Sequence, residues 1–172
     1  MIIDLTELQI KQQEFIAWLE SKPGLINEKN KFGVTKKQVL ATISELYEVG
    51  NEAKQIYKWW DKTEIKNVRV LEELSDVLSH ILNLANALGA DLVIDMELKQ
   101  VTELEDQLMA LNYTLLRFGS HNANKHLEKR RLKELLLPEY IIFAYSLGFN
   151  MEELKEAYCK KMDWNYSYKQ FS

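Results

Sequence analysis

Apolar residues recur at steps of three and four through most of this chain. Val39, Ile43, Leu46, Gly50, Ala53, Tyr57 and Trp60 form one such series. Val70, Leu74, Val77, Leu78, Ile81, Leu84, Ala85 and Leu88 form a second, broader one. That period places the residues on one face of a helix. The second series predicts a helix from about Val68 to Leu88, with Gly89 as its C-terminal cap. Thr35 and Gln38 have capping-box spacing for the helix carrying the first series, and DKTEIKN is a short connection after it. Upstream, Asp4 and Glu7 mark the start of a helix running to about Glu20, stopped by Pro23 and Gly24. Residues 25–34 read as a polar loop. Downstream, Met96, Val101, Leu104, Leu108, Leu111 and Leu115 predict a helix over 95–117, and the pattern breaks at Gly119. Helical spacing returns over 125–147, with a split expected at Pro138, which suits the first turn of a new helix. Gly148 closes that segment. Asn150 and Glu153 then cap a last helix to about Tyr168. The expected architecture is all-α, a single-domain bundle of about six helices spanning residues 1–172.

Composition narrows this further. The chain has 172 residues, 47% hydrophobic and 28% charged, as expected for a globular domain with a real core. Six Gly and two Pro leave little material for the turns of a β-rich fold. The net charge of −4 argues against a nucleic-acid surface. An anionic ligand would need local lysines or a bound metal. Cys159 is the only cysteine, so no internal disulfide forms, which suits a reducing, cytoplasmic location. No stretch approaches the length and apolarity of a membrane span, and the N-terminus lacks signal-peptide character.

Against that background, the acidic residues stand out. Glu45 and Glu48 are three apart on the second helix, and Glu73 and Asp76 are three apart on the third. A three-residue step turns a helix by about 300°, so each pair projects from nearly one side. Two such helices facing each other would gather four oxygen ligands for a hard cation. Glu73, Asp76, His80 and Asn83 line one edge of the third helix's apolar arc, where a site between helices would be built. Glu45, Glu48 and Glu52 share one side of the second helix. Taken alone, that row reads better as an ordinary solvated acidic face. On the last helix the packing stripe Met151, Leu154, Tyr158 continues into Lys161, Asn165 and Lys169. Either an anion meets these donors in a cleft, or the helix end frays into solvent. Tyr57, Trp59 and Trp60 have the flat faces to stack a base, although aromatics at helical spacing usually form core. His121, His126 and Cys159 lack the spacing of metal ligands or of a nucleophile with its base.

ELYEVGNEAKQIYKWW followed by EELSDVLSHILNLANALG resembles the all-α nucleotide pyrophosphohydrolases of the MazG-like superfamily. Within it, the chain is most similar to the dimeric dUTPases of Gram-positive bacteria and their phages. The tail EAYCKKMDWNYSYKQ resembles that family's Lys-and-Asn phosphate motif. The resemblance implies Mg²⁺ held by Glu45, Glu48, Glu73 and Asp76, with Glu45 also orienting or deprotonating the attacking water. It implies phosphate contacts from Lys161, Asn165 and Lys169. Lys58 and Trp60 match the Lys and Trp after the first acidic motif. Gln12 matches a base-reading Gln, and Asn83 would face the sugar or base. Ser79 holds the place of the family's His, and His80 follows it. Tyr168 holds the place of the tail Arg, one residue before Lys169. The implied function is hydrolysis of dUTP to dUMP and pyrophosphate by a cytoplasmic homodimer that takes a nucleoside triphosphate. The rivals are a related enzyme acting on dCTP or another nucleotide, and a non-catalytic helical module that binds a protein.

Overall fold

The computed structural model describes residues 1–22, 36–98, 102–118 and 124–167. The expected breakers Pro23 and Gly24, the 25–34 loop, the Thr35 cap, Gly119, His121 and Lys169 lie outside the described residues. The elements are β1 (Ile2–Asp4), α1 (Thr6–Glu20), α2 (Lys36–Glu52), α3 (Asn67–Leu88), β2 (Val93–Asp95), α4 (Leu104–Leu116), α5 (Lys125–Arg131), α6 (Leu137–Ser146) and α7 (Met151–Ser167).

Helix α3 is the axis of the bundle. It packs against α1, α2, α5 and α7. Its stretch Ile81, Leu82, Asn83, Leu84, Ala85 is buried on every side, as a helix surrounded by others must be. Each leucine removed from water here contributes roughly 1.5–3 kcal/mol. Gly89 ends α3 in the left-handed conformation with φ 62°, and its amide reaches back to the Ala85 and Asn86 carbonyls. Helix α7 starts with a full capping box. The Asn150 amide donates to Glu153 Oε2 at 2.8 Å, and the Glu153 amide donates to Asn150 Oδ1 at 3.0 Å. Its far end does not fray among the described residues. Helix α7 runs to Ser167, and the Tyr166 ring meets Phe15 and Trp18 of α1 edge-on, with centroids 5.1 and 5.0 Å apart.

Four expectations change. Asp4 lies in a short strand rather than in α1. β1 pairs antiparallel with β2, Ile3 opposite Ile94, and Asp4 Oδ1 accepts from the Thr6 amide at 2.9 Å. The expected helix over 95–117 therefore begins only at Leu104, because Val93–Asp95 supplies the partner strand. The second helix stops at Glu52 and turns through a 3₁₀ segment, Lys54–Ile56. Trp59 and Trp60 thus leave the apolar face, 79% and 60% exposed. Lastly, the split expected at Pro138 is a change of helix type rather than a break. Leu132–Leu136 is π-helical, and the Leu137 amide donates back to the Leu132 carbonyl. That wider turn leads straight into α6, whose first turn takes Pro138, a residue with no N–H to satisfy.

Candidate active site

Glu45 of α2 and Glu73 and Asp76 of α3 each bring a carboxylate oxygen within 4.8 Å of the others. All three are half-buried. One spacing rule and one packing contact produce this. The three-residue step aligns Glu73 with Asp76, and the close packing of α2 on α3 brings Glu45 opposite them. Burial pushes the Glu45 carboxyl above its ordinary value, reinforced by the Asp76 and Glu73 charges. Glu73 is raised by burial and then by Asp76. Asp76 is raised by burial, against the opposing pull of Lys161. Lys161 Nζ donates to Asp76 Oδ2 at 2.7 Å. Lys161, with a weaker pull from Arg69 on Glu73, thus answers three converging carboxyl groups. An all-oxygen donor set of excess negative charge, forced together by packing, fits a hard divalent cation.

Glu48 lies outside that trio. It is exposed, although its charge still reaches Glu45 and Glu73. A chain of side chains orients it. Tyr57 Oη donates to Asn51 Oδ1 at 2.8 Å, and Asn51 Nδ2 donates to Glu48 Oε2 at 3.2 Å. Tyr57 can reach because Gly50 has no side chain. A Cβ there would come within 2.4 Å of the Tyr57 ring. Glu48, Asn51 and Glu52 line a groove with Lys54, Lys58 and Arg69. Lys58 therefore shares a groove with Glu48. Trp60 stands on the surface, ring to ring with Trp59 at 5.5 Å. Lys54 is held by Asp61 at 3.2 Å, and hydrogen bonds from Thr63 bring the Asp61 carboxyl down to about 2.

Further along α3 the polar edge turns inward. Gln12 Nε2 donates to Asn83 Oδ1 at 2.9 Å, and Tyr158 Oη donates to Gln12 Oε1 at 2.8 Å. All three residues are buried. Gln38 Nε2 lies 2.8 Å from His80 Nδ1. Burial lowers the imidazole's proton affinity, so His80 stays neutral at physiological pH. The Ser79 hydroxyl donates to the Ser75 carbonyl in its own helix. Asn165 is half-buried on α7, one turn beyond Lys161.

The structure thus gathers Glu45, Glu73, Asp76 and Lys161 at one point and Gln12, Asn83 and Tyr158 at another. Sequence spacing missed Asn51, Tyr57 and Gln38. Gln38 read as a capping residue, and Tyr57 as core. Only the turn after Glu52 aims Tyr57 back at α2. Tyr158 carried a signal as packing, but none as a hydrogen-bond donor.

The fold and the acidic cluster define an all-α protein built around a carboxylate site between two helices. A family model described as dUTPase matches residues 4–170. The chain belongs to this all-α dUTPase family, and its activity is that of a dUTP diphosphatase. No curated protein and no solved structure matches it. The family sets aside the non-catalytic rival. Its enzymes generally use a divalent metal, and the Glu45, Glu73, Asp76 cluster has the donors for one. Among the described residues, no helix is long and apolar enough to cross a membrane.

Proposed function

We propose that the enzyme hydrolyses dUTP to dUMP and pyrophosphate in a Mg²⁺-dependent reaction at the Glu45, Glu73, Asp76 cluster, with Glu48 as the fourth ligand. The convergence of three carboxylate oxygens within 4.8 Å of one another carries this reading. Bound there, Mg²⁺ would shield the triphosphate charge and acidify a water. Glu45 would orient the attacking water and take its proton. Lys161 is parked on Asp76 at 2.7 Å. With a cation also on Asp76, the Lys161 ammonium would be free to reach the phosphates, with Asn165 and Lys169 beside it. Lys58 and Trp60 flank the substrate at the Glu48 side. Asn83, backed by the buried Gln12, faces the base, and His80 lies on the sugar side. The working form is a homodimer in the cytoplasm.

A nucleotide panel tests this by released pyrophosphate. The expected result is turnover of dUTP well above dCTP, dTTP and UTP, lost on chelation of divalent ions. Equal turnover without divalent ions would overturn the metal role. Faster turnover of dCTP would replace the substrate. Hydrolysis in ¹⁸O-water reads the point of attack. Label in pyrophosphate and none in dUMP is expected for attack at the β-phosphorus; label in dUMP would move the attack to the α-phosphorus.

A further inference from the structure

Gln12 is only 2% exposed, yet both ends of its amide are engaged. The Tyr158 hydroxyl decides which end goes where. It has a single hydrogen and two acceptors in reach. Gln12 Oε1 lies at 2.8 Å and the Leu8 carbonyl at 3.4 Å, so the hydrogen belongs to Gln12. A primary amide carries a donor end and an acceptor end, so fixing one fixes the other. With its oxygen held by Tyr158, Gln12 turns its NH₂ to Asn83 Oδ1. Asn83 in turn must point its own NH₂ away from Gln12. That NH₂ has no acceptor among the described residues. Asn83 lies seven residues beyond Asp76 on α3, about 10 Å along the axis, with His80 between them. A nucleotide whose phosphates meet the acidic cluster and whose body follows α3 would bring its base to Asn83.

We propose that Tyr158 is a positioning residue for base selection. Its hydroxyl sets the direction of the Gln12–Asn83 amide pair, so that Asn83 offers hydrogen-bond donors to the base. Donors accept a base with a carbonyl oxygen at that edge and refuse one with an exocyclic amino group. Uracil and cytosine differ in this way at one position. The inference rests on the reading that Asn83 faces the base. Without the Tyr158 hydrogen, Gln12 is free to turn over. Its two ends can then exchange, so that its oxygen accepts from Asn83 and Asn83 presents an oxygen outward.

The test is Tyr158→Phe, which keeps the ring in the core and removes the donor. The readout is the ratio of kcat/KM for dUTP over dCTP. Competition by dUMP and dCMP supplies the ratio where dCTP turnover is too slow. We expect the ratio to fall about tenfold, mostly through a higher KM for dUTP. The response of the melting temperature to Mg²⁺ should be retained. An unchanged ratio in a folded Tyr158→Phe enzyme overturns the proposal. If that variant does not fold, Asn83→Asp decides it. The carboxylate presents an acceptor outward while still answering Gln12, so the ratio must fall; no fall overturns the proposal. Asn83→Ala separates the two levels. An unchanged KM for dUTP removes Asn83 from the base and overturns both readings. A raised KM with an unchanged ratio in Tyr158→Phe overturns the relay alone.

Discussion

Asp76 meets two opposing demands. Packing buries it beside Glu45 and Glu73, and Lys161 offsets only part of the cost of that burial. Asp76→Asn and Glu45→Gln should each lower turnover at least about 100-fold. Unlike most core-edge substitutions, they should raise the melting temperature of the metal-free protein, because each removes a charge that burial disfavours. The Mg²⁺-induced rise should vanish with them. Near wild-type turnover in either variant at saturating Mg²⁺ would refute the site. Lys161→Ala should act oppositely on the free protein, destabilising it by about 1.5–3 kcal/mol, the worth of a hydrogen bond to a charged group. It should weaken triphosphates more than nucleosides. Denaturant titration and binding of dUTP against deoxyuridine check the two effects, and equal losses for both ligands would exclude a phosphate role.

The same residues set a pH dependence. Glu45, Glu73 and Asp76 are raised from 4.5, 4.5 and 3.8, so the folded chain binds more protons than the unfolded one above those values. Metal-free stability at this site falls as pH rises through that window. His80 works in the other direction. It is lowered from 6.5, so its contribution is full above that value and declines as pH falls below it. Metal needs the carboxylates ionised, so the Mg²⁺-induced gain in melting temperature should shrink as pH falls towards the carboxylate range. Melting curves with and without Mg²⁺ from pH 5 to 8 measure this, and a gain that grows on acidification would contradict it.

At the scale of elements, the end of α2 matters most. Helix α2 stops at Glu52 and the chain turns, which swings Tyr57 back over Gly50 to hold Asn51 and, through it, Glu48. Gly50→Ala would drive a methyl into the Tyr57 ring. We expect a loss of about 1–3 kcal/mol from overpacking. Displacement of Tyr57 would also release Asn51, so weaker Mg²⁺ affinity should accompany the loss. Urea unfolding and a Mg²⁺ titration followed by melting temperature check both. Unchanged stability would show that the ring has room to move.

At the scale of the whole molecule, several large apolar side chains stand in solvent. Trp59, Trp60, Leu40, Met109, Tyr113 and Leu116 are all more than half exposed. Two-fold pairing is the commonest way to cover such surface. Light scattering at micromolar concentration should give twice the 20.2 kDa chain mass. A mass of one chain would refute the dimer.

What the sequence determined by itself was periodic. Helix phase depends on local spacing, so α3, its Gly89 cap, the Asn150–Glu153 box and the alignment of Glu73 with Asp76 were all readable from residue order. The short strands were not, because Ile2–Asp4 finds its partner only across α1, α2 and α3. Nor was the π-helical passage before Pro138, since the same apolar spacing suits a break or a wider turn. Tertiary structure alone decided that Glu45 joins Glu73 and Asp76 more closely than Glu48 does, that Lys161 rests on Asp76, and that Gln12, Asn83 and Tyr158 share one hydrogen-bonded line. Each of these depends on the rotation and offset of one helix against another. Those are set by how whole side-chain surfaces interlock, a property that no single stretch of sequence contains.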